Sequence, residues 1–476
     1  MPKIKIISCF LLCVFIIGLL CSCKALNYFD DGELSSYYEI IEEYDYGSNA
    51  SRKSTTASGN DTSDGEDAIK RDMPSISEKT DVQIEKTVTT DSNIEEPELY
   101  DTINPIGTYD NHIAVPENDY CQYNSLSVGE KKLYDSIKST VSKSNNIVDT
   151  SKLTFYENDV ISVFQKFLAD YPQYFYLSRS CILVYSPRMK NIRAVILMYT
   201  DGNTTDEFDE NLHLVSFANR GLINKKTELL KARIRSIIST VPNTAADVVK
   251  EKIIHDYVVK TVTYDYDSAE NISNFESTIP HAFDLYGAAI EKTAVCEGYS
   301  KLFQYLCLCV GINASQVTGT VNGGNHMWNS VLINGEWYQT DLTYDDGNKN
   351  ISYSYFNLTT DAISENHIIN TSELFVPQCS KTDFSFKNTF AVCISDINSQ
   401  PKNYENAIEN ILSSGDNKIY IYFDKYNVAN RPKYTRYIQR YILNVSSDFY
   451  KYLYNQGKYL SSSIKECNEY FVLTVR

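Results

Sequence analysis

Three residues of this 476-residue chain have the types and the order that nucleophilic chemistry needs: Cys296, His326 and Asp341. A thiolate attacks a carbonyl carbon, an imidazole takes and returns the proton, and a carboxylate fixes the imidazole tautomer and stabilises its cation. A lone cysteine on an apolar helix face is ordinarily a packing residue. Three such residues gathered by one backbone register are harder to assign to packing.

The elements that gather them follow from spacing. From Tyr299 onward Leu302, Phe303, Leu306, Cys307 and Val310 recur at three- and four-residue steps, which is one face of a helix. Cys296 lies on that face, where the helix begins after the extended Thr293-Ala294-Val295. A helix N-terminus carries roughly half a positive charge and unpaired amide donors. That environment lowers a thiol pKa and can stabilise an oxyanion. Downstream, Asn334-Gly335 between two alternating runs predicts a hairpin turn whose two central positions take positive φ. The turn sets a register in which Ile333 faces Glu336, Ser330 faces Gln339, Trp328 faces Asp341 and His326 faces Thr343. His326, Trp328 and Asp341 then share one face of the sheet. Asp341 becomes the diagonal neighbour of His326, roughly 7 Å away between backbones, a gap that an imidazole and a carboxylate can close.

The runs AVCEGYSKLFQYLCLCVGI and HMWNSVLINGEWYQTDLTYDD resemble the bacterial transglutaminase-like domain. The resemblance implies an α+β fold with a papain-like core, in which the helix carrying the cysteine packs on an antiparallel sheet. It places the family nucleophile on Cys296, the base on His326 and the orienting acid on Asp341. Gly298-Tyr299, Trp328-Asn329 and Trp337-Tyr338 match as well. Leu342 and Tyr344 stand where relatives often have Pro or Val and, two residues further, Trp. The chemistry implied is attack on an amide carbonyl through an acyl-thioester, resolved by water or by a lysine amine, with no metal and no other cofactor. A peptidase shares that chemistry. The alternative from another class is a non-catalytic cell-surface binding module; a missing triad residue would mark it, and all three are present. Trp328, His281 in the loop before Cys296, and Tyr286 are candidates for substrate contact, with Tyr264 and Tyr266 at the rim.

The remaining chain places this core in context. Lys3 and Lys5 precede an apolar run from Ile6 to Leu20, the layout of a secretory signal. Leu20-Cys21-Ser22-Cys23 resembles a bacterial lipobox, so residues 1–22 are read as a lipoprotein signal peptide and Cys23 as the lipid-modified residue. The expected location is the outer face of a bacterial cytoplasmic membrane, held by an N-terminal lipid anchor. Residues 23–115 are acidic and rich in Ser and Thr, too poor in apolar residues to offset chain entropy, and read as a disordered tether. Residues 116–203 read as a small α+β module, 204–370 as the catalytic domain and 383–476 as a C-terminal α/β module. The formal charge of −17 argues against a nucleic-acid partner and against electrostatic docking on anionic lipid. A protein or cell-wall peptide is the expected substrate, and a monomer the expected state.

Local expectations are as specific. Ser127 with Glu130 has capping-box spacing and opens a helix to Val141. Asn158 caps a second helix, Asp206–Thr240 reads as helical, and Ala245–Val262 is a helix with His255 off its apolar stripe, hence on the surface. An apolar alternating run at Tyr353–Leu358 is expected to complete the sheet. Tyr434–Tyr454 reads as one helix. Eight of the twelve cysteines follow Cys23; they are irregularly spaced, with no zinc pattern, and read mostly as free thiols.

Overall fold

In the computed structural model, residues 5–8, 22–23, 103, 112–185, 191–209, 212–271, 279–347, 351–424, 426–467 and 470–476 are described. Most of the expected leader and tether, and the side chain of Cys23, lie outside them.

The chain is α+β. Its first module pairs two helices, α1 (Val128–Ser142) and α2 (Glu157–Asp170), with a sheet of β1 (Ile147–Asp149), β2 (Leu177–Tyr185) and β3 (Ile192–Tyr199). Short strands at Lys5–Ser8 and Ser22–Cys23 extend the free edge of β2. The capping box forms at α1, with Ser127 and Glu130 each accepting the other's backbone N–H. At α2 the cap is Tyr156 rather than Asn158, because Asp159 reaches back to the Tyr156 amide at 2.9 Å.

Two helices lead into the core. α3 spans Arg220–Ile238 and is capped by Asn219, so it starts later than the expected Asp206. Asp206 is spent elsewhere: its buried carboxylate ties Arg220, Asn146 and the amides of Tyr199 and Ala218 together. α4 (Asp247–Thr261) follows.

The core itself is α5 (Cys296–Cys309) against a four-stranded antiparallel sheet. The strands are β4 (Ala314–Val321), β5 (Gly324–Ile333), β6 (Glu336–Thr340) and β7 (His367–Ile369), in the order β6-β5-β4-β7. The Asn334-Gly335 turn has φ of 50° and 84°, and its pairs Ile333–Glu336 and Ser330–Gln339 are those expected. Ladder pairing stops at Asn329–Thr340, so Trp328 and Asp341 are not ladder partners. Asp341 instead turns out of the strand to cap a one-turn helix, Leu342–Asp345. The segment Tyr353–Leu358 is not a strand; it meets β6 through the bridge Gln339–Leu358 and the Asn357–Thr340 hydrogen bonds, and the fourth strand is β7 on the opposite edge.

The C-terminal module is a mixed sheet of β8 (Ala391–Ile394), β9 (Lys418–Phe423), β10 (Leu460–Cys467) and β11 (Tyr470–Val475), with β8 and β9 parallel. Tyr434–Tyr454 is broken around Asn444 rather than continuous, since Ser447 caps a new helix at Asp448. One apolar core runs from the first module through α4 and α5 to Tyr420 of β9. Polar links reinforce it: Arg179 of β2 meets Glu297 of α5 at 2.7 Å, and Lys252 of α4 meets Asp416 before β9 at 3.0 Å. The seven cysteines with described side chains after Cys23 are free, and Cys307 is fully buried as its helix face requires.

Candidate active site

Cys296 is the first residue of α5, and no side chain caps that helix, so its first-turn amides are not consumed by a cap. The strand Thr293–Ala294 that delivers it pairs with Thr263–Tyr264. This brings the Tyr264 ring against Cys296 and Met327. Cys296 is 6% exposed.

His326 arrives from β5. Its Nε2 lies 2.6 Å from Asp341 Oδ2, and both side chains are 1% exposed. Its Nδ1 is buried and is not engaged by any oxygen or nitrogen of the described residues, and the Cys296 thiol is near enough to act on the ring's charge. Burial alone would push this imidazole down, but the Asp341 charge and hydrogen bond, with the thiol adding to them, raise it to about 10. Burial works in the opposite sense on Asp341, and the two imidazoles on it hold its carboxyl below the usual carboxylate range. The two shifts describe one object, a carboxylate that keeps His326 charged beside the sulfur.

Asp341 uses its two oxygens separately. Oδ1 accepts the amides of Thr343 and Tyr344 at 2.9 and 3.2 Å. Oδ2 accepts His326 and also His367 Nε2, at 2.9 Å. His326, Asp341 and His367 offer ligand-type atoms within 4.8 Å of one another, the one such group among the described residues. The closeness is accounted for by hydrogen bonds, since each imidazole spends an N–H on the same carboxylate oxygen.

The structure therefore brings Cys296, His326 and Asp341 together, with Tyr264 against the sulfur and Trp328 beside the imidazole. Trp328 is 1% exposed, donates its indole N–H to Gln339 and packs beside the His326 ring at 5.9 Å. It walls the histidines from behind and has little surface for a substrate. His281 sits between Asp284 at 2.6 Å and Lys226 at 2.7 Å, with Tyr286 at 4.8 Å between centroids. Tyr286 is buried against Phe175. Both contact Phe175 of the first module. His255 is fully buried between Asp345 and Asp256, not on the surface.

Two residues here were not assigned from sequence. His367 carries no local signal beyond a histidine followed by two isoleucines. Tyr344 was visible as a departure from the family pattern: its ring meets His326 edge-on at 5.2 Å, and its buried hydroxyl has no hydrogen-bond partner among the described residues. Burial pushes that phenol up, with the Asp341 and Cys296 charges adding to it, so the hydroxyl keeps its proton and is a donor.

The Transglutaminase-like superfamily model matches residues 234–342, which runs from the end of α3 to the residue after Asp341. No curated protein matches. Among solved structures, one described as a TGase is 18% identical with a TM-score of 0.23, covering 32% of this chain and 38% of that one. Another, from Cytophaga hutchinsonii and provisionally named a cysteine protease, is 20% identical with a TM-score of 0.20, covering 30% of this chain and 41% of that one. The chain thus spans about two fifths of the length of the solved structures it resembles.

Proposed function

From the transglutaminase-like domain that this chain contains, we propose an enzyme that attacks amide carbonyls, of glutamine side chains or peptide bonds, through Cys296. The observation that carries the reading is the buried imidazole–carboxylate contact at 2.6 Å, beside a cysteine that opens α5 and whose charge acts on the same imidazole. The Cys296 thiolate bonds to the carbonyl carbon, and the oxyanion is held by first-turn amides of α5 and the Tyr344 hydroxyl. His326 gives its proton to the leaving nitrogen as the C–N bond breaks, leaving a thioester. Water or a lysine amine then attacks the thioester, returning a proton to His326 and the sulfur to Cys296.

The test is alkylation by iodoacetamide at pH 7, located by mass spectrometry. Rapid modification confined to Cys296, abolished in Cys296→Ala and slowed at least tenfold in His326→Ala, is expected. Slow, uniform labelling of several cysteines overturns the assignment. Incorporation of a fluorescent amine into a glutamine-rich protein then separates cross-linking from hydrolysis. Tyr344→Phe should slow that turnover while leaving alkylation unchanged, because iodoacetamide forms no oxyanion.

We place the enzyme on the outer face of a bacterial cytoplasmic membrane, anchored through Cys23, with a protein or wall peptide as substrate. The support is the layout of residues 1–23. Cys23→Ser should move the protein from the membrane fraction to the soluble fraction; equal retention of both forms overturns the anchor.

A further inference from the structure

Asp341 serves two imidazoles, and the second one is built in as firmly as the first. His367 opens β7, which pairs with β4 through Val321–His367, Thr320–Ile368 and Gly319–Ile369. That approach needs glycine at 319, where a Cβ would lie 2.2 Å from the Ile368 carbonyl oxygen and 2.6 Å from the Trp328 ring. The His367 side chain is 0% exposed. Its ring is enclosed by Trp328 at 4.9 Å, Tyr344 at 5.2 Å, Tyr355 at 5.5 Å and His326 at 5.6 Å. Nδ1 meets the Asn366 side-chain amide at 2.5 Å, and the other end of that amide meets the Tyr355 hydroxyl at 2.6 Å. Nε2 is left facing Asp341 Oδ2 at 2.9 Å.

We propose that His367 is a positioning residue of this site: its Nε2–H occupies part of the Asp341 oxygen that His326 also uses, fixing the carboxylate and limiting the charge it lends to His326. The proposal rests on the thiol-enzyme reading. A carboxylate with one donor fewer attracts a neighbouring cation more strongly. Too strong a hold would keep the proton on His326 when the leaving nitrogen needs it. His367 therefore tunes the proton's release as well as the acid's orientation. The groups that face it are Asp341 and Tyr344 from the turn after β6, His326 from β5, and Tyr355 and Asn366 from the segment before β7, with Cys296 behind His326.

The experiment is the pH profile of iodoacetamide alkylation at Cys296 in the full chain, followed from pH 5 to 11. Its upper inflection reports loss of the His326 proton. His367→Phe keeps a ring in the same enclosure and removes the donor, and its upper inflection should rise by at least half a pH unit. His367→Gln restores an N–H within reach of Oδ2 and should return the inflection to the wild-type position. His367→Ala should move it as Phe does, and serves if the larger ring does not pack. An inflection that stays or falls in both the Phe and Ala variants, or a Gln variant that behaves like them, overturns the proposal. If wild-type Cys296 shows no His326-dependent labelling at all, the thiol-enzyme reading fails first, so the two failures are distinguishable.

Discussion

Asp341→Asn and Asp341→Ala are expected to be almost equally inactive and very unequally stable. Either change removes the carboxylate that keeps His326 oriented and charged, a loss that costs about 10⁴-fold in turnover for triads of this kind. The asparagine is no substitute because its amide nitrogen would face the Nε2–H groups of both His326 and His367, donor against donor. His326 can escape only by moving its proton to Nδ1, the tautomer that cannot accept from the thiol. Stability depends on the other oxygen. An asparagine side chain keeps an Oδ1 acceptor for the Thr343 and Tyr344 amides, so the one-turn helix stays capped. Alanine loses that cap, about 1 kcal/mol. It also strands two buried imidazole N–H groups, at about 1–3 kcal/mol each. Turnover and urea midpoints, measured side by side, check both halves. An Asn variant within a hundredfold of wild type, or an Ala variant as stable as the Asn variant, contradicts this account of Asp341.

That division of labour at Asp341 also marks where reading the sequence stops. The hairpin register was legible because Asn334-Gly335 is a local signal and pairing propagates from it by simple counting. The start of α5 was legible because an apolar stripe with helical spacing has a visible beginning. Counting failed at Asp341, where an N-cap preference competed with continued extension and won. The acid still reached His326, since leaving the ladder moved its backbone and not the reach of its carboxylate. His367 was out of reach for a different reason. It joins the site by pairing β7 with β4 across about fifty residues, and nothing local sets such a register. The mistaken strand at Tyr353–Leu358 has the same origin: alternation is a property of that segment, whereas the choice of edge belongs to the whole sheet. His255 was misplaced because an apolar stripe gives only the face of α4 that meets hydrocarbon. A second face, buried against charge, has no such mark.

That second face carries the largest stability effect expected outside the site. His255→Phe should destabilise the protein by roughly 3–5 kcal/mol near pH 6, the cost of leaving buried charges without their partner, and by far less near pH 10. His255 Nε2 lies 3.2 Å from Asp345 Oδ2 and Nδ1 3.4 Å from Asp256 Oδ1; His255 and Asp345 are fully buried and Asp256 nearly so. Asp256 also receives Lys252 at 2.9 Å and the Tyr353 hydroxyl at 2.9 Å, and Lys252 passes on to Asp416 of the C-terminal module. Phenylalanine fills the ring volume beside Tyr353 and Phe356 but strands the Asp345 carboxyl. Burial lowers the His255 pKa, yet the two carboxylates prevail and raise it to about 9. A folded pKa above the unfolded value of about 6.5 means that this contribution is complete below pH 6.5. It is lost as pH climbs to about 9. The Asp345 carboxyl, pushed up to about 6 by burial, adds to the same slope at lower pH, because folding takes up its proton too. Glu251, pushed up to about 8 by burial, leaves a residual slope in both proteins. Thermal melts at pH 6, 8 and 10 should therefore converge. The variant should melt on the order of 10 °C below wild type at pH 6 and close to it at pH 10. Parallel curves would mean that His255 is held by packing alone, and that the line of charges from Asp345 to Asp416 does not couple the turn after Asp341 to the C-terminal module.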